Sequence, residues 1–149
     1  LAEKVNLVGT VRCTNLKLFR NIGNWLSENI SSLASCCGAD AKVIFREITP
    51  PVYNNFQINR IFRDSAIKVL GQENVMELQK PSLGAEDFAE FLNEIPGAMF
   101  RLGVSGTNGC APLHSSKFNP DERAIVMGIK VITESIVRLN NEIINATDK

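Results

Sequence analysis

The chain has one histidine, His114, set in the string Pro112-Leu113-His114-Ser115-Ser116-Lys117-Phe118. Neutral imidazole is the commonest metal-binding side chain near neutral pH, so divalent-metal chemistry is the first reading of this residue. The plainer reading is a loop histidine that hydrogen-bonds or faces solvent. A hydrolytic metal site needs at least three protein ligands and an activated water. His114 is therefore at most one contributor to such a site.

Glu86 and Asp87, in Gly84-Ala85-Glu86-Asp87-Phe88, offer a second candidate as paired carboxylates. Neighbours on a helix point about 100° apart, so the two would not converge on one water. Acidic residues at a helix start, facing the positive end of its dipole, are the simpler account. Gly84 either lets backbone N–H groups approach a ligand carboxylate or serves as a turn glycine. Asn54 follows Pro50-Pro51-Val52-Tyr53 and reads as a helix cap or as a binding residue. The serines lack a nucleophile elbow, and a cysteine nucleophile would have only His114 for a base.

The elements that must position these residues begin with an alternating stretch over 5–12, Val5, Leu7 and Val11 on one face and Asn6, Thr10 and Arg12 on the other. That period predicts a strand. Thr14 or Asn15 then caps a helix with the stripe Leu18, Phe19, Ile22, Trp25, Leu26, Ile30, Leu33 and Cys37, and Gly38 stops it. A strand over 43–48 ends at Pro50-Pro51. Asn54 or Asn55 opens a second helix with Ile58, Ile61, Phe62, Ala66 and Val69 inward, closed by Gly71. A short strand over 74–79 completes β-α-β-α-β. A ferredoxin-like unit has one strand more, and its natural place is before Leu1.

Past Lys80-Pro81-Ser82 the texture changes, which places a boundary near 81. A short helix over 85–94 is followed by an apolar strand over 97–103 and a long polar loop over 104–119. Loops of that length invite function. The final helix is expected to take Asn119 as N-cap, Pro120 at its first position and Glu122 as the reciprocal capping residue. Its stripe runs Ile125, Ile129, Ile132, Ile136, Leu139 and Ile143. His114 would thus lie between a buried strand and a long helix, where open α/β sheets place ligands.

Of the 149 residues, 44% are hydrophobic, enough for a packed core, and 16 basic residues balance 16 acidic ones. Dispersed charge excludes a basic nucleic-acid stripe, and no apolar run reaches membrane-spanning length. Cys13, Cys36, Cys37 and Cys110 lack zinc-site spacing and read as reduced thiols of a cytoplasmic protein. The start at Leu1 fits a processed protein or an excised piece.

Five strings in order, Val8-Gly9-Thr10-Val11-Arg12, Pro50-Pro51-Val52-Tyr53-Asn54, Pro81-Ser82-Leu83-Gly84-Ala85-Glu86-Asp87-Phe88, Pro96-Gly97-Ala98-Met99-Phe100 and Pro112-Leu113-His114-Ser115, cover nearly the whole chain. Together they resemble the C-terminal half of the dinuclear-metal amidohydrolases and carboxypeptidases, a family that includes hippurate hydrolase, N-acetyl-amino-acid deacetylases and auxin-conjugate hydrolases. The resemblance implies an α+β fold: residues 1–81 as most of a ferredoxin-like lid and dimerisation domain, and 82–149 as the last part of an α/β zinc-peptidase-like catalytic domain.

It further implies His114 as a metal ligand, and Asn54 and Gly84 as substrate-binding residues. The metal would be zinc, manganese or cobalt, two per complete site. The reaction implied is hydrolysis of N-acyl amino acids or small peptides by a metal-activated water, in a cytoplasmic homodimer. The upstream histidines and the Glu-Glu pair of that family are absent, so the chain alone is expected to be inactive. The alternative is a stand-alone lid-like dimerisation or interaction module without catalysis.

Overall fold

The structure, a computed structural model, describes residues 3–147. Its helices form where the apolar stripes and caps predict them. Helix α1, Leu16–Cys36, starts at Asn15, whose side chain accepts the Leu18 N–H at 3.0 Å. It ends where Gly38 turns left-handed at φ 72°. Helix α2, Phe56–Leu70, is capped by Asn55, which accepts from Gln57 and Ile58, and closed by Gly71 at φ 89°. A 3-10 turn, Gln72–Asn74, follows. Helix α3 is Phe88–Glu94 and helix α4 is Arg123–Thr147.

The chain divides into two compact units, one of Leu1–Val52 with Gln79–Phe91, the other of Tyr53–Leu78 with Leu92–Lys149. In the first, no residue of α1 is buried, and the Phe45 ring rests on Gly23. A Cβ at position 23 would stand 2.6 Å from Phe45 Cδ1, so the missing side chain makes the seat for the ring. Arg12 holds the 82–84 loop by donating to the Leu83 carbonyl at 2.8 Å.

In the second unit α2 packs against α4. Ile61 (5% exposed) and Val131 (2%) supply the apolar centre, with Ser65 and Ser135 fully enclosed. Small side chains at those positions let helices approach closely. At the rim Lys68 and Arg138 both donate to Glu134, at 2.7 and 2.8 Å, and their hydrogen bonds hold its carboxyl below the usual carboxylate range.

The two enclosed serines differ. Ser135 donates to the Val131 carbonyl at 2.7 Å, whereas Ser65 Oγ has no partner among the described residues. A buried unpartnered hydroxyl costs about 1–3 kcal/mol. Ser65→Ala is therefore expected to stabilise the chain by roughly 1 kcal/mol. Urea unfolding should show a higher midpoint at unchanged m-value, and a lowered midpoint would contradict the assignment.

The start of α4 departs from expectation. Asp121, not Asn119, is the cap: its Oδ1 accepts the Arg123 N–H at 3.0 Å and its carbonyl accepts Ala124 N–H. Its own N–H donates to Val104 O at 2.8 Å, which fixes where the helix begins. Hydrogen bonds from the Arg123 side chain and backbone lower the Asp121 pKa to about 2.

The larger correction concerns the sheet. The expected β-α-β-α-β ferredoxin-like lid and the α/β catalytic portion are not found: the regular elements among the described residues are all helices, with no strand. Residues 5–12, 43–48, 75–79 and 97–103 have no regular secondary structure. The one pairing among described residues is an isolated antiparallel bridge between Gly106 and Gly109. The physical reason is that alternation specifies a face, but a strand exists only through ladder hydrogen bonds to a partner. Segment 97–103 shows what replaces the ladder. Phe100 stacks on Phe62 of α2 at 5.6 Å, and Leu102 lies over Gly128 of α4, so helices take up the apolar face. All four cysteines are free, and among the described residues no helix is long and apolar enough to cross a membrane.

Candidate functional site

His114 stands in a tight double turn. The Ser115 N–H donates to Pro112 O at 3.1 Å, closing a four-residue turn with His114 at its third position. Ser115 then starts the next turn: its Oγ accepts from Lys117 N–H at 3.1 Å and its carbonyl from Phe118 N–H at 3.0 Å. His114 has φ 68°, and among the described residues it is the one non-glycine with positive φ. That conformation is uncommon outside glycine, with Asn, Asp and His enriched, and such outliers gather at functional sites. The turn leaves His114 exposed at its apex.

Asn54 is half-buried and engaged at both ends of its amide. Nδ2 donates to Met99 O at 2.9 Å, and Oδ1 accepts Met99 N–H at 2.9 Å. The next residue, Asn55, donates its N–H to Gly97 O at 2.8 Å. The side chain of Asn54 thus pairs with main chain as a strand neighbour would, and joins the turn before α2 to the 97–103 segment. The helix-cap duty belongs to Asn55. This clamp was missed in the sequence, although Asn54 and Pro96-Gly97-Ala98-Met99-Phe100 both stood out there.

Gly84 belongs to the other unit. Its N–H donates to Ser82 Oγ at 3.1 Å, and a Cβ there would meet the same oxygen at 3.2 Å. Gly84 thus sits in a short serine-capped turn, and its φ is not among the positive ones. Nearby, Glu86 Oε1 accepts the Phe88 N–H at 3.3 Å and Glu86 O accepts Ala89 N–H at 3.0 Å, the arrangement of an acidic residue at a helix start.

Asn54 and His114 lie in one unit and Gly84 in the other. Among the described residues no three His, Cys, Asp or Glu side chains gather as a metal-ligating group. One imidazole does not hold a catalytic ion, so these residues alone do not fit the metal centre that the resemblance implies. What they offer is one exposed nitrogen donor on a fixed turn and, earlier in the chain, a segment at 97–99 braced by Asn54 and Asn55.

Comparison with known proteins supplies the wider frame. The sequence model of the peptidase family M20/M25/M40 matches residues 3–138. A probable hydrolase of Synechocystis sp. is 33% identical over 135 residues, 89% of this chain and 34% of its own length. Thermostable carboxypeptidase 1 of Saccharolobus solfataricus is 30% identical over 145 residues, 95% of this chain and 36% of its own. N-acetyldiaminopimelate deacetylase of Bacillus cytotoxicus is 28% identical over 136 residues, covering 91% and 35%. The chain spans about a third of the length of these relatives. With the family match running through nearly all of it, the chain belongs to the peptidase family M20/M25/M40.

Proposed function

We propose that this chain is part of a cytoplasmic, metal-dependent amidohydrolase that cleaves N-acyl amino acids or small peptides. The observation that carries the reading is the family match over residues 3–138, which contains Asn54, Gly84 and His114. The names carboxypeptidase and deacetylase borne by two relatives share one bond type, an amide to an amino acid. In this reading His114 is one ligand of a divalent ion, zinc, manganese or cobalt, and the remaining donors come from outside residues 3–147. Two ions per complete site and a homodimer are parts of the same proposal. Gly84 lines the substrate pocket, and Asn54 contacts substrate.

The test is a panel of N-acetyl and N-benzoyl amino acids and dipeptides, offered to the full-length protein before and after chelation. Turnover abolished by the chelator and restored by one of the three ions is the expected result. Full activity after complete demetallation would overturn the metal assignment. A stable dimer that hydrolyses nothing in the panel would instead favour an interaction module.

A further inference from the structure

Cys36 and Cys37 are adjacent, exposed and free. Cys36 is the last residue of α1, and Cys37 follows with φ −93° and ψ 6°. The backbone around them is pinned: Cys37 and Ala39 both donate to Ala34 O, at 2.9 and 3.0 Å, and Gly38 donates to Ser35 O at 3.0 Å. The other two cysteines are single and half-buried, with Cys13 Sγ directed to Asn15 O and Cys110 Sγ to Ala111 O. Among the described residues no hydrogen bond ties the sulfur of Cys36 or Cys37. The backbone under the two thiols is fixed and each side chain keeps one rotor, so rotation about Cα–Cβ, not the helix geometry, has to bring the two sulfurs onto one ligand.

What such a pair takes is set by geometry and valence. Consecutive Cα atoms are about 3.8 Å apart, short of the roughly 4.4–6.8 Å that a disulfide prefers, so a direct S–S bond here is strained. An atom inserted between the sulfurs enlarges the ring and relieves that strain. Zinc in structural sites demands four ligands, and this pair supplies two. A trivalent arsenic that already carries one carbon substituent needs two sulfurs to complete its valences.

We propose that Cys36-Cys37 is a dithiol site for monosubstituted trivalent arsenicals, independent of the hydrolytic reading. In the step, two S–H bonds break, two As–S bonds form, and the oxygen of the arsenoxide leaves with both protons as water. No electron is transferred and no oxidant is needed.

The probe is phenylarsine oxide, titrated against this chain and followed by intact mass and thiol counting. One arsenical bound per chain, with two thiols lost, is expected. Release by ethanedithiol but not by glutathione is expected as well. Cys36→Ser and Cys37→Ser should each weaken binding by about 100-fold, the scale on which joining two binding groups raises avidity. Cys13→Ser and Cys110→Ser should leave it unchanged. Tight binding that survives Cys36→Ser or Cys37→Ser, or one thiol lost per arsenical, would overturn the proposal. Circular dichroism of each variant separates a lost site from a lost fold.

Discussion

Replacing His114 in the full-length protein is expected to cost about one equivalent of bound metal and at least about 100-fold in kcat/KM. Even partners that merely orient a metal ligand are worth 10–100-fold, and a ligand lost outright exceeds them. The choice of replacement matters because of the backbone. At φ 68° a Cβ carries strain of about 1–2 kcal/mol, which His114 already bears, alanine would keep and glycine would relieve. His114→Ala should therefore lose metal and turnover with its backbone strain unchanged, while His114→Gly loses metal and turnover with its melting temperature kept or raised. Metal content is read by elemental analysis and stability by calorimetry. A glycine variant that keeps its metal and its rate would remove His114 from the site, and leave a surface histidine on an unusual turn.

Asn54→Ala is expected to destabilise by about 2 kcal/mol or more, because both the N–H and the carbonyl of Met99 lose their partner in a half-buried setting. Asn54→Asp should be no milder: a carboxylate still accepts from Met99 N–H but sets an anion against Met99 O, where Nδ2 had donated. Chemical unfolding measures that loss. The same variants decide whether Asn54 also meets substrate. Met99 takes one N–H and one lone pair of the amide and the second N–H faces Asn59 Oδ1 at 3.4 Å, so a substrate must share Oδ1 or displace one of these bonds. If Asn54 contacts substrate, KM in the full-length enzyme rises for Asn54→Ala at temperatures where the variant is fully folded. A fallen melting temperature with unchanged KM would make Asn54 a clamp and nothing more.

The helices were legible because their determinants are local. Asn15, Asn55, Gly38 and Gly71 sit where capping chemistry requires them, and the apolar stripes lie between. The strands were not legible, since residues 5–12 carry the right period but the described residues offer no ladder to join. At α4 the string Asn119-Pro120-Asp121 holds two capping side chains, and local pattern favoured the first. The contact that decided for Asp121 comes from Val104, far upstream of the helix. His114 stood out by type and setting, but its left-handed backbone is dictated by the turn that Pro112 O closes. Asn54 was singled out for binding or capping, and its pairing with Met99, far along the chain, has no local signature.

The unpaired stretch at the front of the chain has a colloidal meaning. Leu7 is 92% exposed and Val8 fully so, with Val5 and Val11 also largely open. Residues 5–11 combine β-branched side chains, no charge and no proline, the composition that drives strand stacking between molecules. Handled by itself at high concentration, this polypeptide will be limited by precipitation well before it is limited by unfolding.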